Sequence, residues 1–147
     1  KLPLLIADLK EDAIVRILEE EKITKIKGSL RFPGYIANTD LAALYGGAFA
    51  FLYPSLRESF GIPMLEAMAC GTPVIAGNTS AMPEIAGEGA LLADPFNAED
   101  ITDKILQLES DDAFYRQQVE YGLNRSRMFS WRNTAESLLK IYKEFAK

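Results

Sequence analysis

The sequence predicts an α/β fold, a parallel sheet with helices on both faces. Two observations carry this. Short unbroken apolar runs, Leu4 to Ala7, Ala48 to Tyr53, Pro73 to Ala76 and Gly89 to Ala93, alternate with stretches of helical spacing. Strands covered on both faces read as such continuous runs, and alternation with helices implies parallel pairing. Breakers fall between the segments, at Gly46-Gly47, Pro54, Gly71 and Pro73, where a helix or strand has to stop.

The elements follow in order. Leu4 to Ala7 reads as a buried strand. Asp8 with Glu11 three residues later resembles a helix cap, and Ile14, Ile17 and Leu18 give helical spacing up to Glu21. An extended stretch covers Lys25 to Ile36, broken near Gly28 and Pro33-Gly34. Asn38 or Thr39 caps a short helix with Leu41, Leu44 and Tyr45, ended by Gly46-Gly47. After the strand to Tyr53, a loop from Ser55 to Ile62 leads to Pro63, which suits the first turn of a helix. That helix runs to about Cys70, with Gly71 just past its end. A short helix near Pro83 to Ala86 separates the last two strands. Residues from about 98 to 146 are helical: one helix carries Ile101, Ile105 and Leu108, a second covers about Asp112 to Met128, and Ser130 caps a third with Trp131, Ala135, Leu138, Tyr142 and Phe145. With no repeat and no low-complexity linker, residues 1–147 read as a single domain.

Bulk composition narrows the function. At 147 residues the chain fits one domain. Its net charge of −5 argues against a broad nucleic-acid surface. There is no histidine, which removes the usual general base and the commonest metal ligand. The single cysteine, Cys70, cannot form an internal disulfide and suits a reducing, cytoplasmic setting. No apolar run is long enough to span a membrane.

In parallel sheets, ligands sit beyond the carboxyl ends of the strands, so the loop after Tyr53 is the first place to look for chemistry. It reads Pro54-Ser55-Leu56-Arg57-Glu58-Ser59-Phe60-Gly61-Ile62-Pro63-Met64-Leu65-Glu66. The loop enters a helix, so free N–H groups near Gly61 and Ile62 can face an anion. Gly61 allows close backbone approach. Glu66, one turn into the helix, can accept from a vicinal diol such as a ribose. Glu58, on the loop, can accept from sugar hydroxyls.

Glu58 and Glu66 are separated by seven residues, with Ser59-Phe60-Gly61-Ile62-Pro63 between them. This arrangement resembles the Glu-x7-Glu signature of retaining GT-B glycosyltransferases of the group 1 (GT4) type. The run Ala67-Met68-Ala69-Cys70-Gly71-Thr72-Pro73-Val74-Ile75 is similar to the family's continuation, as are Pro83-Glu84 and Gly89-Ala90-Leu91-Leu92-Ala93-Asp94-Pro95. Phe32-Pro33-Gly34-Tyr35-Ile36 resembles the strand and turn beside the nucleobase, and Phe129-Ser130-Trp131 the start of the last helix. The resemblance implies the C-terminal, Rossmann-like half of a GT-B fold, the half that binds the nucleotide-sugar donor. It implies that Glu66 holds the ribose hydroxyls. Glu58 would contact the donor sugar and stabilise the charge that develops at the anomeric carbon. Backbone groups at Phe60, Gly61, Ile62 and Met64 would meet the sugar or diphosphate, and the backbone near Tyr35 and Ile36 the base. The donor would be a UDP-, GDP- or ADP-sugar, a hexose would be transferred with retained configuration, and no obligatory metal is implied.

The pattern also breaks. Family members carry a further acceptor-binding domain, the expected partner of this one. Leu2 to Ala7 aligns with the family's second strand of this domain, so its first strand and helix, with their basic residues, have no counterpart here. A sheet lacking that strand has a gap. Three outcomes follow: a fragment, repacked strands, or self-association through the gap. Turnover by the isolated chain is not expected in any of them. Two other readings compete, a truncated or designed scaffold without catalysis and an unrelated flavodoxin-like phosphate binder. Simpler roles stand beside the sharp ones. Arg57 reads as phosphate partner or solvated loop residue. Cys70 reads as a buried small residue, Tyr35 as base stack or sheet-edge cover, and Trp131, Tyr142 and Phe145 as core or a packing face. Lys25 and Lys27 read as a solvated edge, and Glu84 as a helix start. Asp111-Asp112 lies between two helices, away from the strand ends.

Overall fold

The computed structural model describes residues 2–23 and 26–146, apart from the side chain of Lys27. The expected edge lysine Lys25 and the side chain of Lys27 therefore lie outside the described part. The chain forms two compact units, Lys1–Leu41 and Ala42–Lys147. Each is described by itself.

The first unit holds strand β1 (Leu4–Ala7), helix α1 (Glu11–Glu20), a 3-10 turn (Lys27–Ser29) and strand β2 (Leu30–Gly34). β1 and β2 pair in parallel, Leu4 opposite Leu30 and Leu5 opposite Arg31. Leu18 and Leu30 are its buried apolar residues. Two expectations are corrected here. β1 is not a buried strand: Leu4 and Leu5 are exposed, and β1 pairs along one edge only. Asp8 is not the helix cap. It stands in the left-handed region at φ 62 and donates its N–H to the Gly34 carbonyl at 3.0 Å. Aspartate tolerates that conformation, so it turns the chain, and α1 starts after Lys10 without a side-chain cap.

Helix α2 (Asn38–Gly47) leads into the second unit, where the remaining elements are β3 (Phe51–Tyr53), α3 (Ile62–Ala69), β4 (Val74–Gly77), α4 (Met82–Ala86), β5 (Ala90–Ala93), α5 (Ala98–Ser110), α6 (Asp112–Ser126) and α7 (Trp131–Phe145). The order β3-β4-β5 is all parallel, with Phe51 opposite Val74 and Val74 opposite Ala90. β4 is the central strand and all four of its residues are buried, as its continuous apolar run requires. Asn97 and Asp111 cap α5 and α6 by accepting backbone N–H groups, and Ser130 caps α7 through the Asn133 N–H at 3.0 Å. Asp111 is thus a capping residue.

The core of this unit has two parts. Ile75, Ala93 and Leu108 join the sheet to α5, with Phe49, Leu52, Leu91, Ile105 and Tyr115 packed around them. Met64, Ala67 and Met68 of α3 are fully buried, and α3 packs on α6. Burying a methionine side chain stabilises by about 1.5–3 kcal/mol. Gly122 of α6 lets the helices approach, since a Cβ there would lie 3.3 Å from the Met68 side chain. Cys70, expected to be buried, is half-buried at the C-cap of α3. Trp131, Tyr142 and Phe145 do not form core: α7 has no buried residue and all three are exposed.

Candidate functional site

The Glu58–Glu66 segment leaves β3 and enters α3 at the carboxyl edge of the second sheet. Its turn depends on Gly61, the N-cap of α3, at φ 90 and ψ 48. A Cβ at that position would meet the Met82 sulfur at 3.0 Å. The positive φ calls for glycine, and a Cβ would also press on the Met82 side chain. The N–H groups of Phe60, Gly61 and Ile62 have no acceptor among the described residues, and they stand at the positive end of the helix dipole. The Met64 N–H, in contrast, donates to the Gly61 carbonyl at 3.1 Å, and the Met64 side chain is fully buried. Met64 therefore closes the first turn of α3.

Glu58 is half-buried. Its Oε1 accepts the Tyr53 hydroxyl at 2.7 Å and the Ser55 hydroxyl at 3.0 Å. Its backbone is held as well: Ser80 Oγ accepts the Glu58 N–H at 3.3 Å and donates to the Glu58 carbonyl at 2.6 Å. Thr79 donates to the carbonyls of Ser55 and Leu56 at 3.3 and 3.1 Å. Hydroxyls after β4 thus tie down the loop after β3. Gly77 permits this closeness, because a Cβ there would sit 2.6 Å from the Ser55 carbonyl oxygen. The Tyr53 phenol is pushed up to about 12, first by burial and then by its hydrogen bond to Glu58. It stays protonated and donates at neutral pH.

Glu66 lies one turn into α3 and is exposed. Its charge helps raise the nearby Tyr45 phenol, after the larger effect of burial. The Phe60 ring packs edge-on against Phe129, with centroids 5.7 Å apart, and the Arg125 guanidinium covers Phe129 at 4.9 Å. Arg57 and Glu84 are exposed. Tyr35, 76% exposed, and Ile36, half-buried, follow β2 in the first unit. The second unit brings Glu58, Phe60, Gly61, Ile62 and Glu66 together on one loop and helix start.

Sequence reasoning missed Tyr53, Ser55, Thr79, Ser80 and Phe129. Tyr53 ends β3, and Ser55, Thr79 and Ser80 lie just beyond the ends of β3 and β4; that placement was the available signal.

A sequence profile described as "Glycosyl transferases group 1" matches residues 2–125. The chain belongs to this family. The O-antigen chain mannosyltransferase B of Escherichia coli is 40% identical to this group 1 glycosyltransferase chain over 117 residues, which are 80% of the chain and 31% of the relative. The sucrose-phosphate synthase of Thermosynechococcus elongatus superposes with a TM-score of 0.82 at 27% identity, over 97% of the chain and 38% of that protein. Anabaena HepE, solved in complex with UDP, superposes with a TM-score of 0.85 at 18% identity, over 97% of the chain and 41% of HepE. The group 1 chain thus spans well under half the length of each. Its fold is the C-terminal, Rossmann-like half of the GT-B glycosyltransferases. No described helix is long and apolar enough to cross a membrane.

Proposed function

We propose that this chain is the donor-binding half of a retaining, GT4-type hexosyltransferase. Glu66 accepts the ribose hydroxyls of a nucleoside-diphosphate sugar. The free N–H groups of Phe60, Gly61 and Ile62 meet the diphosphate or sugar. Glu58 accepts donor-sugar hydroxyls and stabilises positive charge at the anomeric carbon. The observation that carries this reading is the Gly61-capped start of α3, with unpartnered N–H groups between two carboxylates. Mannose is the sugar we assign, because the Escherichia coli relative is a mannosyltransferase. No obligatory metal is assigned, and the half-buried single cysteine suits the reducing cytoplasm.

Binding and turnover separate in this proposal. Between Tyr53 and Glu84 the only basic residue is Arg57. A diphosphate held there rests mainly on backbone dipoles, which suffices for grip but leaves the departing charge weakly stabilised. The isolated chain therefore binds donor without transferring sugar.

The experiment is a calorimetric titration with GDP-mannose, UDP-glucose and ADP-glucose. We expect saturable binding of one of them, strongest for GDP-mannose. Glu66→Ala should weaken it by about 30- to 150-fold, the loss of roughly 2–3 kcal/mol of charged hydrogen bonding. Absence of saturable binding by any of the three sinks the assignment and leaves a non-binding scaffold of the same fold.

A further inference from the structure

Tyr53 and Ser55 direct both of their hydroxyl hydrogens to a single atom, Oε1 of Glu58. An ionised carboxylate offers about four acceptor positions on its two oxygens. With two donors on Oε1, that oxygen is largely occupied, while Oε2 has no partner among the described residues. The two donors also differ from solvent in being fixed. Tyr53 is the last residue of β3, in register with Ala76 of β4. Its ring stacks on Phe51 at 5.5 Å, and Phe51 is met edge-on by Tyr45 at 5.1 Å. The phenol is therefore aimed by the sheet and by an aromatic row. Ser80 fixes the Glu58 backbone from the other side.

We propose that Tyr53 is a positioning residue which, assisted by Ser55, locks the Glu58 carboxylate by Oε1 so that Oε2 faces the donor sugar. This rests on the donor-binding reading above. The pair acts as a preset: Glu58 loses little side-chain freedom when the sugar arrives, and the orientation cost is met during folding. It also separates the two ends of the donor. The Tyr53 and Ser55 hydroxyls both act on the carboxylate that meets the sugar, and neither donates to Glu66 at the nucleotide end.

That separation supplies the test. The whole chain and its Tyr53→Phe and Ser55→Ala variants are titrated with the preferred nucleotide sugar and with its nucleoside diphosphate. Circular dichroism melts accompany each variant. The ratio of the two affinities reads the sugar end alone. Tyr53→Phe keeps the ring and its stack, so diphosphate affinity should stay unchanged. Nucleotide-sugar affinity should fall roughly 5- to 10-fold, the net effect of one ordinary hydrogen bond. Ser55→Ala should lower the same ratio by less. The double variant should lose less than the product of the two, since both hydroxyls serve one oxygen.

An unchanged ratio in Tyr53→Phe, with wild-type protein that does prefer the sugar form, overturns the proposal while leaving the donor site intact. Equal weakening of both ligands assigns Tyr53 a structural role and also overturns it. If Tyr53→Phe does not fold, Ser55→Ala decides by the same ratio. Wild-type protein that binds neither ligand defeats the donor-site reading and this proposal together, a result distinct from the others.

Discussion

The Tyr53 phenol ties the stability of the chain to pH at the alkaline end. Its ordinary value is 10.0, and in the folded chain burial and the Glu58 hydrogen bond push it up to about 12. The folded state therefore holds this proton more tightly than the unfolded state. The resulting stabilisation is complete below pH 10 and is lost as pH rises toward 12. Tyr45 and Tyr115, raised chiefly by burial, act in the same direction. We expect wild-type protein to lose melting temperature as pH rises from 10.0 toward about 12, and Tyr53→Phe to lose less, as followed by circular dichroism. An equal loss in both proteins would remove Tyr53 from this account. The two glutamates were legible from their spacing and the residues between them. The hydroxyls on Glu58 were not. Tyr53 reads as the end of an apolar strand, and nothing in the periodicity of a strand shows where a phenol tip points. Ser80 was hidden for a further reason: it lies 22 residues from Glu58 and meets it only because β3 and β4 are parallel neighbours.

Among the elements, α4 is short, and α6 secures its end. Arg125 of α6 donates from Nε to the Ile85 carbonyl at 2.8 Å and from Nη2 to the Glu84 carbonyl at 2.6 Å. These are the two carbonyls before the last of a five-residue helix, which has no later helical turn to satisfy them. The same guanidinium covers Phe129, which packs on Phe60 of the donor loop. Arg125→Ala should destabilise the chain by about 2 kcal/mol in urea unfolding, with Arg125→Lys recovering only part, because an ammonium cannot span both carbonyls in the fixed fork of arginine. Full recovery by lysine would show that charge alone matters. At this scale the order of the strands and α-helices was legible, but their limits were not, and the stretch read as extended from Lys25 holds a 3-10 turn at Lys27–Ser29 before β2. The apolar run from Ala48 suggests a six-residue strand, yet β3 begins at Phe51. Ala48 closes the turn of α2 by donating to the Tyr45 carbonyl at 2.9 Å, and Phe49 turns its ring onto Tyr115 at 5.1 Å. Apolar continuity records burial, and burial does not say where a hydrogen-bonded ladder starts.

Over the whole molecule, the strands divide into a pair and a triplet, and the apolar surface divides unevenly. The triplet is backed by α3, α5 and α6, with β4 wholly buried. The sequence foretold a parallel sheet but could not show which apolar faces would find a cover within these 147 residues. Helix α7 is the clearest case. Its spacing of Trp131, Leu138, Tyr142 and Phe145 is that of a core-facing helix, and all four are exposed. Amphipathic spacing promises only that a face can be buried, and the partner is a separate matter. One practical consequence concerns light. Trp131 is the sole tryptophan and is 83% exposed, so the indole already sits in water. Its emission should scarcely shift while circular dichroism reports unfolding, and acrylamide should quench it almost as well before melting as after. A marked red shift on heating would mean that α7 is covered in solution. The chain thus carries a built-in optical probe that is nearly blind to its own folding and responsive to anything that settles on its last helix.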